Sequence, residues 1–128
     1  MKFNFRKTYP AVENTRMVGK HNSDVFSGGG LVYDRVLEYR VWVKVKEPLC
    51  YSFARYSEAL EFSKQTKFSE LPLVLVEQDE YIKENEVSKK RKLIKKKRIT
   101  EWEPEWLKGA KRTEKLVQSL LISNDSDD

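Results

Sequence analysis

Residues 36–46 read Val-Leu-Glu-Tyr-Arg-Val-Trp-Val-Lys-Val-Lys and form the clearest structural pattern in the chain. An apolar side chain stands at every second position from Leu37 to Val45, and the positions between them are polar except for Trp42. A period of two is typical of a β-strand with one apolar face. Glu47-Pro48 interrupts the alternation and residues 50–55 resume it, so this region predicts an antiparallel hairpin packed on a core.

Further elements follow along the chain. Ser57 is predicted to be the N-cap of a helix over about residues 57–66, because its hydroxyl can accept a hydrogen bond from a free backbone N–H of the first turn. Residues 72–76 are a short apolar run that begins with a proline, which favours a central strand. Residues 79–88 are polar and predict a hairpin loop, and residues 92–102 predict one lysine-rich edge strand.

A last helix is predicted over residues 114–122, where four apolar residues share one face. Strands in short succession with few crossovers are typical of an antiparallel sheet. The predicted fold class is therefore α+β: a small, mostly antiparallel sheet of about four strands, with one helix after the first hairpin and a C-terminal helix. The length of 128 residues fits one domain, predicted over residues 1–122, and the acidic residues 123–128 predict a disordered tail.

Composition excludes several classes of site and of protein. Cys50 is the single cysteine and His21 the single histidine, so an internal disulfide, a multi-cysteine zinc site and a multi-histidine metal centre are excluded, and no metal site is expected. No apolar run approaches the roughly 18 residues that a membrane span needs, and the N-terminus lacks the apolar core of a signal peptide. These features predict a cytoplasmic protein without a membrane span.

The positive charge is concentrated in one segment. The chain carries a net charge of +5, but residues 83–98 contain nine basic and two acidic side chains, so the rest of the chain is slightly acidic. Clustered Lys and Arg side chains bind phosphate backbones by releasing counterions, which predicts nucleic acid or another anionic partner. The predicted anion-binding residues are Lys89, Lys90, Arg91, Lys92, Lys95, Lys96, Lys97 and Arg98.

Two other interpretations of this basic segment remain open. If the protein acts in a eukaryotic cell, the two basic blocks match the crude pattern of a nuclear-import signal, which corresponds to nuclear or host-cell targeting. The segment also fits a solvated edge hairpin with no ligand, because charge runs are commonly solvated faces.

The loop over residues 17–30 is a second candidate site. His21 can transfer a proton near neutral pH, Asp24 could orient it, and Ser27 could serve as a nucleophile. Gly28, Gly29 and Gly30 allow a backbone to approach a ligand closely, so they are predicted ligand-loop residues. The spacing matches neither a P-loop nor a dinucleotide fingerprint. A flexible loop that simply precedes a strand is the alternative.

Two tryptophans and the cysteine complete the candidates. Trp102 and Trp106 stand four residues apart and are predicted to form an aromatic surface for a protein partner, since Trp is enriched at interface hot spots. The alternative is that they clamp the C-terminal helix onto the sheet. Cys50 lies in a predicted strand, and the sequence favours a small core residue there over a nucleophile.

Several stretches resemble small bacterial proteins of unknown function. They are Gly28-Gly29-Gly30-Leu31-Val32-Tyr33-Asp34 leading into residues 37–43, and Ile99-Thr100-Glu101-Trp102 with residues 104–109. Some of these proteins are labelled GNAT-type N-acetyltransferases. For such an enzyme the resemblance implies acetyl-coenzyme A as the donor and an amine as the acceptor. The Gln/Arg-x-x-Gly-x-Gly/Ala loop that binds coenzyme A in that family is absent from this sequence.

The sequence therefore predicts a non-enzymatic binding module for an anionic partner without a cofactor, with nucleic acid as the first candidate and residues 89–98 as the contact surface. The alternatives are a small acyl-transferase-like enzyme that uses residues 21–30 and acetyl-coenzyme A, and an interaction or effector protein that uses Trp102 and Trp106. Whether the chain is an enzyme stays open at this point.

Overall fold

The computed structural model describes residues 9–23 and 28–125, with eight regular elements in these ranges. Two short 3-10 turns, Thr15–Met17 and Pro104–Leu107, lie between them. The elements are β1 (Arg35–Val43), β2 (Leu49–Phe53), α1 (Tyr56–Gln65), β3 (Leu73–Gln78), β4 (Tyr81–Glu84), β5 (Arg91–Ile94), β6 (Arg98–Trp102) and α2 (Glu114–Asp125).

Four of the strands form one antiparallel sheet in the order β2-β1-β3-β6, and β4 and β5 form a separate two-stranded antiparallel sheet. Helix α1 follows the first hairpin and α2 ends the described chain, so the predicted α+β class is confirmed. The strand predicted after Pro72 is β3, which lies in the interior of the larger sheet between β1 and β6. The prediction missed the second sheet.

Strand β1 departs from the simple alternation at its start. Its register with β3 shifts between Val36 and Glu38, so Leu37 lies at a bulge. A bulge inserts one residue and moves the following side chains to the other face. Val36 therefore joins Tyr39 and Val41 in the core, whereas Leu37 is only half-buried. The strand ends at Val43, so the prediction that positions 37 and 45 extend the core face is wrong.

Helix α1 begins earlier than its sequence predicts. Arg55 occupies the N-cap position with extended backbone and makes no side-chain capping bond, and Ser57 lies inside the first turn. Tyr56, the first helical residue, packs edge-on against the rings of Tyr9 and Tyr39 at centroid distances of 4.6 and 5.9 Å. These tertiary contacts outweigh the local preference for a serine cap, so the Ser57 prediction is wrong.

The lysine-rich region divides differently from its predicted form. Residues 79–88 are not a loop throughout, because β4 occupies Tyr81–Glu84. Residues 92–102 are not one strand either: β5 pairs with β4, β6 pairs with β3, and residues 95–97 separate them. Only the choice of pairing partner distinguishes the two strands, and local alternation carries no information about it. The edge position of β6 in the larger sheet is as predicted.

The core has two parts. Helix α1 covers the face of the larger sheet that contains Tyr39 and Val41, and Ala59 is its buried contact residue. Helix α2 covers the smaller sheet through Val117, which packs with Ile82 and Val32. Helix α2 runs three residues beyond the predicted end at residue 122, and residues 126–128 of the predicted tail lie outside the described residues.

Across residues 9–23 and 28–125, no helix is both long enough and apolar enough to cross a membrane.

Candidate functional site

The hairpin of β4 and β5 presents one face to the protein and one to solvent. Ile82 lies directly opposite Leu93, and both pack in the apolar cluster beneath α2. Arg91 continues this inner face, since its Nη1 donates to the carbonyl oxygen of Leu120 at 2.8 Å. The alternation of a strand then places Lys83 and Lys92 on the outer face.

Lys83 and Lys92 are directly opposite each other in the register, and both are exposed. Like charges directly opposite on neighbouring strands destabilise a hairpin. The flanking turns add four more exposed lysines: Lys89, Lys90, Lys95 and Lys96. In the part of the chain that the structure describes, no carboxylate lies within ion-pair distance of these six lysines. The outer face of the hairpin and its turns, called the lysine surface below, therefore carries a net positive charge, although the turn between the two strands also holds the exposed Glu86.

The other three basic residues of the predicted anion site have partners within the fold. Arg98 Nε donates to Gln78 Oε1 at 2.7 Å, and its guanidinium carbon lies 3.7 Å from the centre of the Tyr81 ring. Arg91 Nε lies 3.3 Å from Glu84 Oε2. Lys97 Nζ lies 3.7 Å from the nearer carboxylate oxygen of Asp79. The predicted site thus separates into five exposed lysines without a carboxylate partner in the described chain, the exposed Lys97 beside Asp79, and two arginines that are bonded within the fold.

Beside Lys97, a network of opposite charges joins the turn between β3 and β4 to the start of β1 and to Arg112. Asp34 accepts a bond from Arg112 Nε at 2.7 Å and a second from the backbone N–H of Asp79 at 2.6 Å. Arg35 pairs with Glu77 at 2.6 Å and also with Asp79. The hydrogen bond to Glu77 and the neighbouring carboxylates raise the pKa of Arg35 in spite of partial desolvation. These carboxylates are compensated locally, so they do not cancel the charge of the lysine surface.

The glycine segment connects the two sheets. The carbonyl oxygen of Gly29 accepts bonds from Trp102 Nε1 at 2.9 Å and from Gln78 Nε2 at 3.0 Å. The carbonyl oxygen of Gly30 accepts from the N–H of Ile82 at 2.9 Å, and the N–H of Gly28 donates to Thr100 Oγ1 at 3.1 Å. These glycines therefore have a structural role in the fold, whereas their predicted role as ligand-loop residues stays a prediction.

His21 is the described member of the predicted catalytic group. It is half-buried, and its carbonyl oxygen accepts a bond from Arg40 Nη2 at 2.9 Å. It lines a cavity of about 210 Å³ together with Arg35 and Glu77. Asp24 and Ser27 lie outside the described residues, so the proposed His21–Asp24 and Ser27 arrangement stays a prediction.

The sequence did not predict a buried ionic cluster on the face of the larger sheet opposite α1. Arg40 Nε donates to Glu38 Oε2 at 2.7 Å, and Arg40 Nη1 donates to Glu101 Oε2 at 3.1 Å. Trp42 Nε1 also donates to Glu101, and the backbone N–H of Gly19 donates to Glu38 at 2.7 Å. All three charged residues are buried. Their alternating positions on the second face of β1 were visible in the sequence, but the contact with Glu101 was not.

This ionic cluster is structural. Desolvation by burial opposes the charge of Arg40, but the hydrogen bonds to Glu38 and Glu101 outweigh it and leave the pKa of Arg40 above its ordinary value. The segment around Gly19 and His21 covers the cluster. Each of its three charged side chains has at least two protein hydrogen-bond partners, which is how proteins keep buried charges.

Trp102 and Trp106 lie together with their rings edge to face, at a centroid distance of 6.1 Å. Trp102 is 2 % exposed and belongs to the main core, whereas Trp106 is 44 % exposed. A mainly apolar cavity of about 440 Å³ lies beside them, with Leu31 and the α2 residues Leu116 and Leu120 on its other walls. Trp102 is thus a core residue, and Trp106 is the tryptophan that a partner can reach.

A second cavity of about 380 Å³ adjoins the first. It is lined by Tyr81, Lys83, Glu84 and Arg98, and it shares Gly29 and Leu31 with the tryptophan cavity. Lys83 of the lysine surface and the exposed Trp106 therefore line two cavities that share Leu31. The sequence could not predict this, because Leu31, Lys83 and Trp106 are far apart along the chain.

Cys50 is exposed in the edge strand β2, so its predicted place in the core is wrong. Partial desolvation raises the pKa of its thiol to about 11, with Glu101 and Glu38 adding to the effect and Arg40 opposing it. A raised pKa keeps the thiol protonated at neutral pH, and the protonated form is a poor nucleophile. The environment therefore favours an unreactive cysteine in spite of its exposure.

We expect Cys50 to be alkylated by iodoacetamide at pH 8 about tenfold to 100-fold more slowly than a free cysteine, whose pKa is about 8.5, because its smaller thiolate fraction is only partly offset by the higher nucleophilicity of a more basic thiolate. The rate should rise about tenfold for each pH unit up to pH 10, because the thiolate fraction rises in that proportion below the pKa. Alkylation is followed by mass spectrometry, with the urea-unfolded protein as the control. Equal rates in the folded and unfolded protein at pH 8 would contradict the expectation.

The structure thus defines an α+β fold with a lysine surface, of which Lys83 lines a cavity that adjoins an aromatic one. No family model matches the chain, no curated protein matches its sequence, and no solved structure matches its fold.

Proposed function

We propose that this protein is a binding module for nucleic acid, which it contacts through the lysine surface. The observation that carries the proposal is the set of six exposed lysines without a carboxylate partner in the described chain, two of which, Lys83 and Lys92, are directly opposite each other. A pair of like charges is unfavourable for the hairpin alone. A bound polyanion would offset this repulsion, because each lysine would then lie next to a negative charge.

The chemistry of the surface favours phosphate contacts over base reading. Lysine ammonium groups are flexible point charges that neutralise phosphates and release counterions. Such contacts position a nucleic acid but carry little sequence information. The two arginines of the segment, which are better suited to bidentate base contacts, are engaged with Gln78 and Leu120. Binding through the lysine surface should therefore depend strongly on salt and weakly on sequence.

We expect the variant Lys89→Gln/Lys92→Gln/Lys96→Gln to bind nucleic acid more weakly than the wild type, with a shallower dependence on salt. Each lost phosphate contact should reduce the slope of log affinity against log salt concentration by about 1. Fluorescence anisotropy of a labelled oligonucleotide, titrated at several salt concentrations, measures both quantities.

The matched control is the variant Lys20→Gln/Lys46→Gln/Lys64→Gln, which removes three exposed lysines outside the lysine surface. It lowers the net charge by the same amount and should retain a steeper salt slope. Equal slopes for the two variants would show that only net charge matters. No binding by the wild type at low salt would refute the proposal.

Acetyl-coenzyme A is the alternative ligand that the resemblance implies. Glycine loops that bind a pyrophosphate usually offer free backbone N–H groups at the start of a helix. Here the N–H of Gly28 is bonded to Thr100, and the chain passes from Gly30 into β1, so the described glycines do not fit that arrangement. Coenzyme A is still informative as a competitor: the nucleic-acid proposal expects it to displace an oligonucleotide no better than free nucleotides of similar charge.

A further inference from the structure

The position of Trp106 beside the lysine surface suggests more than phosphate binding. Two cavities share Gly29 and Leu31: one is lined by Trp106, Lys108 and apolar side chains, and the other by Lys83, Arg98 and Glu84, whose carboxylate is paired with Arg91. A ligand that spans both must combine a flat apolar group with a nearby negative charge. A nucleotide has both parts, joined by a sugar.

We propose that the protein prefers single-stranded nucleic acid, with one unstacked base in the Trp106 cavity and the adjacent phosphates on Lys83 and Lys92. This inference rests on the proposed function and names its ligand class. The volume of about 440 Å³ lies in the range of small-ligand pockets, about 300–1,000 Å³. A double helix keeps its bases stacked and paired inside, so it can reach the lysines but cannot place a base in this cavity.

The tryptophan pair is suited to this role because one ring is fixed and the other is available. Trp102 is immobilised by its bond to the carbonyl oxygen of Gly29 and packs against the edge of Trp106. In the described residues, no group accepts a hydrogen bond from Trp106 Nε1, so this donor is available to a base or to water. Single-strand binding proteins combine these features: a basic groove that follows the backbone, and an aromatic ring on which a base stacks.

Charge complementarity selects this occupant over others. An uncharged apolar molecule would satisfy the Trp106 cavity but would leave Lys83 and Lys92 uncompensated. A protein side chain inserted beside Trp106 is the other occupant that the cavity could take. Experiment can distinguish nucleic acid from these two occupants, because binding of an apolar molecule or of an inserted side chain does not require the lysine surface to be basic.

The test compares a labelled oligothymidylate with a blunt duplex of the same length, each titrated with the wild type and with Trp106→Ala. The wild type should bind the single strand more tightly than the duplex. Trp106→Ala should weaken single-strand binding about fivefold to 150-fold, the range for loss of one base–aromatic stack, and should leave duplex binding unchanged. Trp106→Phe keeps an aromatic ring and should retain most of the affinity.

The matched control is Phe68→Ala, which removes another exposed aromatic side chain, 64 % exposed, from beside Lys67 and far from the lysine surface in sequence. It should bind both oligonucleotides like the wild type. Quenching of the tryptophan fluorescence of the unmodified protein gives a measurement that needs no variant. The single strand should quench it, and the duplex should quench it much less.

The failures of the two proposals are distinguishable. Equal affinity for both oligonucleotides, with no selective loss in Trp106→Ala and no selective quenching, would overturn the single-strand inference while the lysine surface could still bind phosphates. No salt-dependent binding of either oligonucleotide would overturn both. Loss of binding in Phe68→Ala equal to that in Trp106→Ala would also overturn the inference.

Discussion

The variant Arg40→Met is expected to lose about 3–5 kcal/mol of unfolding free energy, the usual cost of removing one partner from a buried ion pair. Arg40 lies between the carboxylates of Glu38 and Glu101, and all three residues are buried. Methionine fills a similar length but leaves two buried carboxylates without their cation. The loss is measured by urea unfolding followed by circular dichroism.

Two companion variants test the charge argument. The first removes an exposed ion pair for comparison, and the second removes all the charges of the buried cluster together. Lys44→Ala removes a surface ion pair, in which Lys44 Nζ lies 3.6 Å from Glu70 and both side chains are exposed. We expect it to cost less than about 1 kcal/mol. The triple variant Arg40→Met/Glu38→Gln/Glu101→Gln removes the buried charges together and should recover part of the stability lost by Arg40→Met. If the triple variant were less stable than Arg40→Met, the charge argument would be wrong.

The variant Gly30→Ala is expected to destabilise the protein by about 2–5 kcal/mol. Gly30 has a φ of +98°, a region that side-chain-bearing residues rarely adopt, which costs about 1–3 kcal/mol. A Cβ at this position would lie 2.3 Å from Gln78 Nε2 and 3.0 Å from Tyr81 Cβ. Gln78 cannot move cheaply, because it is fully buried and its amide donates to Gly29 and Val32. Displacing that amide leaves buried polar groups unpaired, at about 1–3 kcal/mol.

Gly29→Ala is the matched control one residue away. No heavy atom lies within 4 Å of its added Cβ, and its φ is not in the positive region. We expect a change in unfolding free energy of less than about 1 kcal/mol, with a small gain if the loss of chain entropy in the unfolded state dominates. Thermal unfolding of both variants measures the difference. Equal stabilities would show that the segment can shift without cost and does not hold the sheets together.

The contrast between these neighbouring glycines also bears on the nucleic-acid proposals. Gly29 and Leu31 line both cavities and Gly30 links them in the chain, so a displaced Gly30 should alter the geometry of both. Leu31 itself has a φ of +67°, which shows that the chain turns sharply where the cavities meet. The proposed binding surface therefore depends on this short connection as much as on the lysines.

Local patterns predicted the elements whose structure depends on their own side chains. The alternation around Tyr39 and Val41 predicted β1, the break at Glu47-Pro48 predicted the hairpin, and the short run after Pro72 predicted β3. The concentration of lysines also needed no structure, because charge is a property of composition. In each case the chain itself contains the physical cause: a period of two, a missing backbone donor, or a cluster of like charges.

The tertiary structure determined the strand limits and the helix start, which depend on contacts between residues that are distant in the sequence. Residues 91–94 and 98–102 look like one strand locally, and they separate because one pairs with β4 and the other with β3. Ser57 has the side chain of a cap, but the packing of Tyr56 on Tyr39 sets where the helix begins. Pairing and packing energies between distant residues exceed local preferences of a few tenths of a kcal/mol to about 1 kcal/mol, so they prevail where the two conflict.

The sequence alone thus determined an α+β chain with a strand-rich core and a basic segment. Only the tertiary structure decided that Arg40 meets Glu101, that Trp102 is buried while Trp106 is exposed, and that the cavities lined by Trp106 and by Lys83 share Gly29 and Leu31. The reason is that a binding surface is assembled from side chains whose contacts form only when the sheets and helices pack. The residues of such a surface are present in the sequence, but their proximity is a property of the fold.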